Sequence, residues 1–108
     1  RERRAVLETP SVQSRLSEEE RTRALTSSSL SSTVRLALLE VLYASGANLL
    51  VLPIQDEFGW SDRINQPATV GDQNWTWRLP WPSDRISREP EAVAVAQQLR
   101  TWSANYRR

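Results

Sequence analysis

The sequence predicts an α/β chain, mostly helical with little strand, in the order helix, buried strand, long loop, helix. Three observations predict it. The run Leu49-Leu50-Val51-Leu52-Pro53-Ile54 is rich in Leu, Val and Ile and is bounded by turn residues, which suits a strand buried on both faces of a parallel sheet. Residues 33–45 before it and the stretch from about 88 to the end carry apolar side chains at helical spacing. Between strand and last helix lie about 30 residues, against roughly 2–6 for an ordinary βα loop. In parallel sheets, chemistry gathers where a strand's carboxyl end opens into its loop. Here that end is Gln55-Asp56, so Asp56 is a candidate site residue.

Taken in order, residues 1–16 are polar and mixed, and Pro10 argues for irregular structure or one short helical turn. Ser17-Glu18-Glu19-Glu20 is a capping box, and its acidic first turn suits a helix dipole. That helix should be short, about 17–25. The Ser-rich run 26–32 reads as a turn whose last serines can cap the next helix. In the helix at 33–45, Val34, Leu38, Val41 and Leu42 form one stripe, and Leu36, Leu39 and Tyr43 widen it. Gly46 fits the left-handed position that ends a helix. In the last helix Glu89, Pro90 and Glu91 suit the first turn. There Val95, Leu99, Trp102 and Tyr106 share a face, and Arg107 and Arg108 suit the end.

Composition excludes several functions. The chain has 108 residues, no Met, no Cys and no His, with 14 basic and 13 acidic residues giving a net charge of +1. Lacking Met, it reads as a fragment, a processed product or a trimmed piece. Without Cys or His there is no disulfide framework, no thiolate or imidazole metal site, and no Ser-His-Asp or Cys-His machinery. Near-neutral charge gives no field for nucleic acid or an anionic membrane. No apolar run is long enough to span a bilayer, so the cytoplasm is the default expectation. Acid–base chemistry, if any, falls to carboxylates.

The long loop holds four of the five tryptophans, Trp60, Trp75, Trp77 and Trp81, which argues for an ordered, packed segment over a disordered one. It also holds or borders Asp56, Glu57, Asp62, Asp72 and Asp84. A carboxylate pair about 5–9 Å apart would serve glycoside chemistry, whereas Asp62-Arg63 and Asp84-Arg85 read as turn acids. If Trp75-Thr76-Trp77 is extended, both indoles face one side and offer a platform for sugar C–H faces. The alternative is that they fill space with their N–H groups bonded. Asn65 and Asn74 carry amides that suit neutral hydroxyl groups, or equally the capping of turns.

The blocks Leu52-Pro53-Ile54-Gln55-Asp56, Arg63-Ile64-Asn65, Pro67 and Asn74-Trp75-Thr76-Trp77-Arg78 resemble, in order and spacing, the C-terminal end of glycoside hydrolase family 77. These are the 4-α-glucanotransferases known as amylomaltases or disproportionating enzymes. The resemblance covers about residues 30–108 and matches the first 25 or so only by position. It implies a (β/α)8 TIM barrel with inserted subdomains, of which residues 30–108 are the closing part: helix 7, strand 8, the long βα loop and helix 8. Residues 1–29 stand outside it. A whole barrel needs roughly 250 residues, so the rest of the barrel is an expected partner.

The resemblance further implies transfer of α-1,4-glucan segments between maltooligosaccharides by a retaining double displacement, with no metal or organic cofactor. The family's catalytic acids lie on strands four, five and seven, the third in a His-containing motif that this His-free chain cannot hold. No catalytic residue is therefore assigned. Asn65 is implied to border the sugar cleft, beside the substrate-binding candidates Asp56 and Trp75. Asn74, Trp77 and Arg78 are implied to anchor the loop. The chain departs from the family where a Gly-rich turn is replaced by Glu57-Phe58-Gly59-Trp60, and where Ala68 stands for a glycine. Ala68 cannot take positive φ as cheaply as Gly. The other readings are a sugar-binding module without chemistry and a piece that docks on a partner chain.

Overall fold

The computed structural model describes residues 2–27 and 29–108. Arg1, and Ser28 of the Ser-rich run read as a turn, lie outside the described residues. The elements are α1 (Glu2–Leu7), α2 (Pro10–Gln13), α3 (Glu18–Thr26), α4 (Ser32–Tyr43), α5 (Ile54–Phe58), a 3-10 helix (Ser83–Arg88) and α6 (Pro90–Asn105). The chain divides into two compact units. One holds the residues up to Val51 together with Thr101–Arg108, and the other is Leu52–Arg100.

In the first unit the helices α3 and α4 have ends closed by side chains. Residues 2–16, expected to be irregular or one short turn, carry two short helices instead. Pro10 does not break a helix here; it opens α2, where its missing N–H costs nothing and its fixed φ is already helical. Ser17 closes the capping box of α3: its Oγ accepts from the Glu20 N–H at 3.1 Å, and its own N–H donates to Glu20 Oε2 at 2.8 Å. At the far end of α3, Arg3 donates to the carbonyls of Ala24 and Ser27. Ser31 caps α4 by accepting from the Val34 N–H at 3.3 Å. Leu7, Val12, Leu16, Ala24, Val34 and Ala37 form the core, with Leu38 and Val41 packed against it. Thus α1 meets α2 and α3, and α2 meets α4.

The end of α4 differs from expectation. Gly46 is not left-handed; among the described residues the glycine with positive φ is Gly59, at 73°, which closes α5. The Ala44 and Ser45 N–H groups reach back to Glu40 O and Leu42 O, and the carbonyls of Tyr43, Ser45 and Ala47 are satisfied from the chain terminus. Arg108 donates through Nε to Tyr43 O at 2.7 Å and through Nη2 to Ser45 O at 2.9 Å and Ala47 O at 2.8 Å. Arg107 takes φ 55° and the Arg108 N–H reaches Ser103 O at 2.8 Å, a Schellman closure of α6 with arginine in the place usually taken by glycine. The Trp102 ring lies 5.3 Å from that of Tyr43. The Tyr106 hydroxyl donates to Glu40 at 2.8 Å and accepts from Arg15 at 3.3 Å.

The strand expected over residues 49–54 is not formed. Among the described residues there is no strand, and residues 49–53 have no regular structure. Leu49 and Val51 are each 79% exposed, the reverse of a strand buried on both faces. A parallel strand is held only by neighbours, and no other segment of this sequence reads as one. Pro53, with φ −64° and ψ 143°, stands at the start of α5. Ile54 and Gln55 are therefore helical, and Asp56 and Glu57 sit where the α5 dipole favours acids. No helix among the described residues is long and apolar enough to cross a membrane.

Candidate functional site

The second unit contains the long loop, ordered at two places. The first is an aromatic cluster. Phe58 stacks on Trp60 with ring centres 4.4 Å apart, and Trp60 lies 5.7 Å from Trp81 and 5.9 Å from Trp77. The Trp60 indole N–H donates to Glu91 Oε1 at 3.0 Å, and its backbone N–H to Gln55 O at 2.8 Å. Rings this close pack on one another, so these three tryptophans take part in the loop's own packing.

The second is a closed turn over residues 64–75, centred on Asn74. Its Oδ1 accepts from the Gln66 N–H at 2.7 Å, and its Nδ2 donates to Thr69 O at 3.1 Å and Thr69 Oγ1 at 3.3 Å. The Thr69 hydroxyl donates to Gln66 O at 2.6 Å. The Trp75 N–H closes the ring on Ile64 O at 2.7 Å. Closure places two residues other than glycine in the left-handed region, Ala68 at φ 61° and Trp75 at φ 63°. Such conformations persist only where surrounding bonds over-determine them, and Asn74 supplies those bonds.

The left-handed Trp75 breaks the alternation expected of Trp75-Thr76-Trp77. The two indoles do not make a joint platform: Trp77 packs on Trp60, while Trp75 is 74% exposed. Asn65 and Asn74 are brought together, lining one surface depression with Arg63, Gln66 and Gln73. Asp56 stands apart from it, exposed in the first turn of α5. Arg78 is exposed and lines neither feature. Asp84 lies in the first turn of the 3-10 helix, where Arg85 pairs with Glu89 at 3.1 Å. Among the described residues no group of three or more His, Cys, Asp or Glu could hold a metal ion.

Sequence reading missed Gln66 and Gln73. Both flank Asn residues already singled out, but only closure of the turn brings positions 66 and 73 to one depression. Gly71 was also missed. A Cβ there would stand 2.1 Å from Gln73 Oε1 and 2.8 Å from its Cδ, so the glutamine amide rests on bare glycine backbone.

No curated protein and no solved structure matches the chain. The family model for glycoside hydrolase family 77, described as 4-alpha-glucanotransferase, matches residues 2–85. The likeness thus reaches nearly to the first residue, beyond the expected start near 30. It takes in the 64–75 turn and the whole aromatic cluster, and it stops short of α6. A match over more than three quarters of the sequence settles the family: the chain belongs to glycoside hydrolase family 77, the 4-alpha-glucanotransferases.

Proposed function

We propose that this chain is the C-terminal part of a 4-alpha-glucanotransferase and supplies the loop bordering the glucan cleft of a (β/α)8 barrel. The observation that carries the reading is the family match over residues 2–85. In the proposed reaction a carboxylate attacks the anomeric carbon of an α-1,4-glucan. The bond to the leaving sugar breaks, and a second carboxyl group gives its proton to the departing oxygen. The 4-hydroxyl of an acceptor maltooligosaccharide then attacks the glucosyl–enzyme ester and returns a proton to that same group. These carboxylates lie outside this chain.

Within it, Asn65, Asp56 and Trp75 border the substrate, and Asn74, Trp77 and Arg78 anchor the loop. The exposure of Trp75 supports this reading, because an indole left in water offers an apolar face to a sugar ring. The same exposure supports a second reading, a sugar-binding piece without chemistry. Incubation with maltotriose separates them. The chain alone should yield neither glucose nor longer maltooligosaccharides. Co-expression with the preceding barrel segment of a family member should restore the product ladder. Transfer by the chain alone would overturn the placement of the carboxylates. Maltotriose binding without restored transfer would favour the second reading.

A further inference from the structure

We infer that Gln73 binds the hydroxyl groups of a glucose unit, together with Asn65 and Gln66, and that Gly71 is the positioning residue that gives its amide room. The inference rests on the glucan reading above and names side chains which that reading leaves out. Its first support is the chemistry of the depression. The lining residues are Arg63, Asn65, Gln66, Gln73 and Asn74, four amides and one guanidinium with no carboxylate. An amide both donates and accepts, as a sugar hydroxyl does. A cation would find no charged acceptor here, and an anion would find a single positive group.

The second support is availability. The Asn74 amide is engaged with Gln66 and Thr69 inside the turn. The side chains of Arg63, Asn65, Gln66 and Gln73 have no hydrogen-bond partner among the described residues. One amide therefore builds the depression, and three remain to contact what enters it.

The third support is Gly71. Gln73 Oε1, Cδ and Nε2 lie 2.1, 2.8 and 2.9 Å from where a Cβ on residue 71 would stand. Any other residue at 71 would push the amide aside. The glycine makes no left-handed turn here, since among the described residues the glycine with positive φ is Gly59. Its use is the space it leaves for Gln73.

The test is titration of the 108-residue chain with maltotriose, followed by NMR shifts of the amides in residues 63–76. The wild type should bind, with shifts at the Gln73 side chain. Gln73→Leu should weaken binding about five-fold, the loss of about one net hydrogen bond to a neutral hydroxyl. Gly71→Ala, which keeps the glutamine but displaces the end of its side chain, should weaken it by a smaller factor. The two changes combined should do no more than Gln73→Leu alone. Unchanged exchange protection of the Trp75 N–H shows that each variant keeps the turn.

Binding by the wild type with no loss in Gln73→Leu overturns the inference and leaves the glucan reading standing. No maltotriose binding by the wild type overturns the inference and the second reading, a sugar-binding piece without chemistry. Losses that add in the double variant overturn the role given to Gly71.

Discussion

Replacing Ala68 by glycine should stabilise the turn, against the usual effect of that substitution. Ala68 sits at φ 61°, where a Cβ crowds the backbone at a cost of roughly 1–2 kcal/mol. Glycine removes that cost but adds freedom to the unfolded chain, worth about 0.4–1 kcal/mol. The difference favours glycine by about 0.8 kcal/mol. The turn is held by the Trp75 N–H on Ile64 O, 2.7 Å, and the Gln66 N–H on Asn74 Oδ1, 2.7 Å, so these two amides report on it. Native-state hydrogen exchange at both should slow about four-fold in Ala68→Gly if local opening exposes them. The control is Ala96→Gly, at an exposed position inside α6, where glycine costs about 1 kcal/mol. Opposite signs at the two positions are expected. Faster exchange at Gln66 and Trp75 in Ala68→Gly would refute the argument, because it would mean that residue 68 occupies an ordinary conformation.

Asn74→Ala leaves the Gln66 N–H and the Thr69 carbonyl without their partner; the turn should lose about 1–2 kcal/mol, read as roughly ten-fold faster exchange at Trp75. Trp75→Phe should remove most of the acrylamide-quenchable fluorescence, since Trp75 is 74% exposed while Trp102 is buried; undiminished quenching would place the exposed indole elsewhere. Arg108→Ala frees the carbonyls of Tyr43, Ser45 and Ala47. Arg108 is exposed, so water recovers part of what is lost and the cost should be about 1 kcal/mol, a fall in Tm of about 4 °C; an unchanged Tm would mean that water caps α4 equally well.

What could be read in the sequence is what nearby residues decide. The capping box at Ser17 and Glu20 and the cap at Ser31 need only partners within a few positions and were legible; the stripe of α4 was legible in Val34, Leu38 and Val41 but not in Leu42, which is 40% exposed, nor in the buried Ala37. Pro10 was legible as a helix boundary but not as a helix start, because the same fixed φ serves both. Gly46 was the local stop signal for α4, yet its end is bonded by Arg108, more than 60 residues away. Spacing carries no trace of that. In the candidate site the substitution of alanine for glycine at 68 pointed to strain, and the backbone carries it, at φ 61°. Gln73 was invisible because the depression it lines exists only once Trp75 has closed on Ile64.

The run at 49–54 is the sharpest case. Its pattern is that of a strand, and a strand is the element least able to form from local preference, since each of its hydrogen bonds belongs to another segment. A helix such as α4 carries its bonding partners within itself and forms as read. Residues 49–53 carry only the side chains suited to a sheet. With no second strand among the described residues, the apolar pattern remains while the structure it encodes does not form, and Leu49 and Val51 stay 79% exposed. Their exposure is the apolar surface that neighbouring strands would cover. At about 25 cal/mol for each Å² removed from water, sheet neighbours in the proposed barrel would turn that surface into stabilisation.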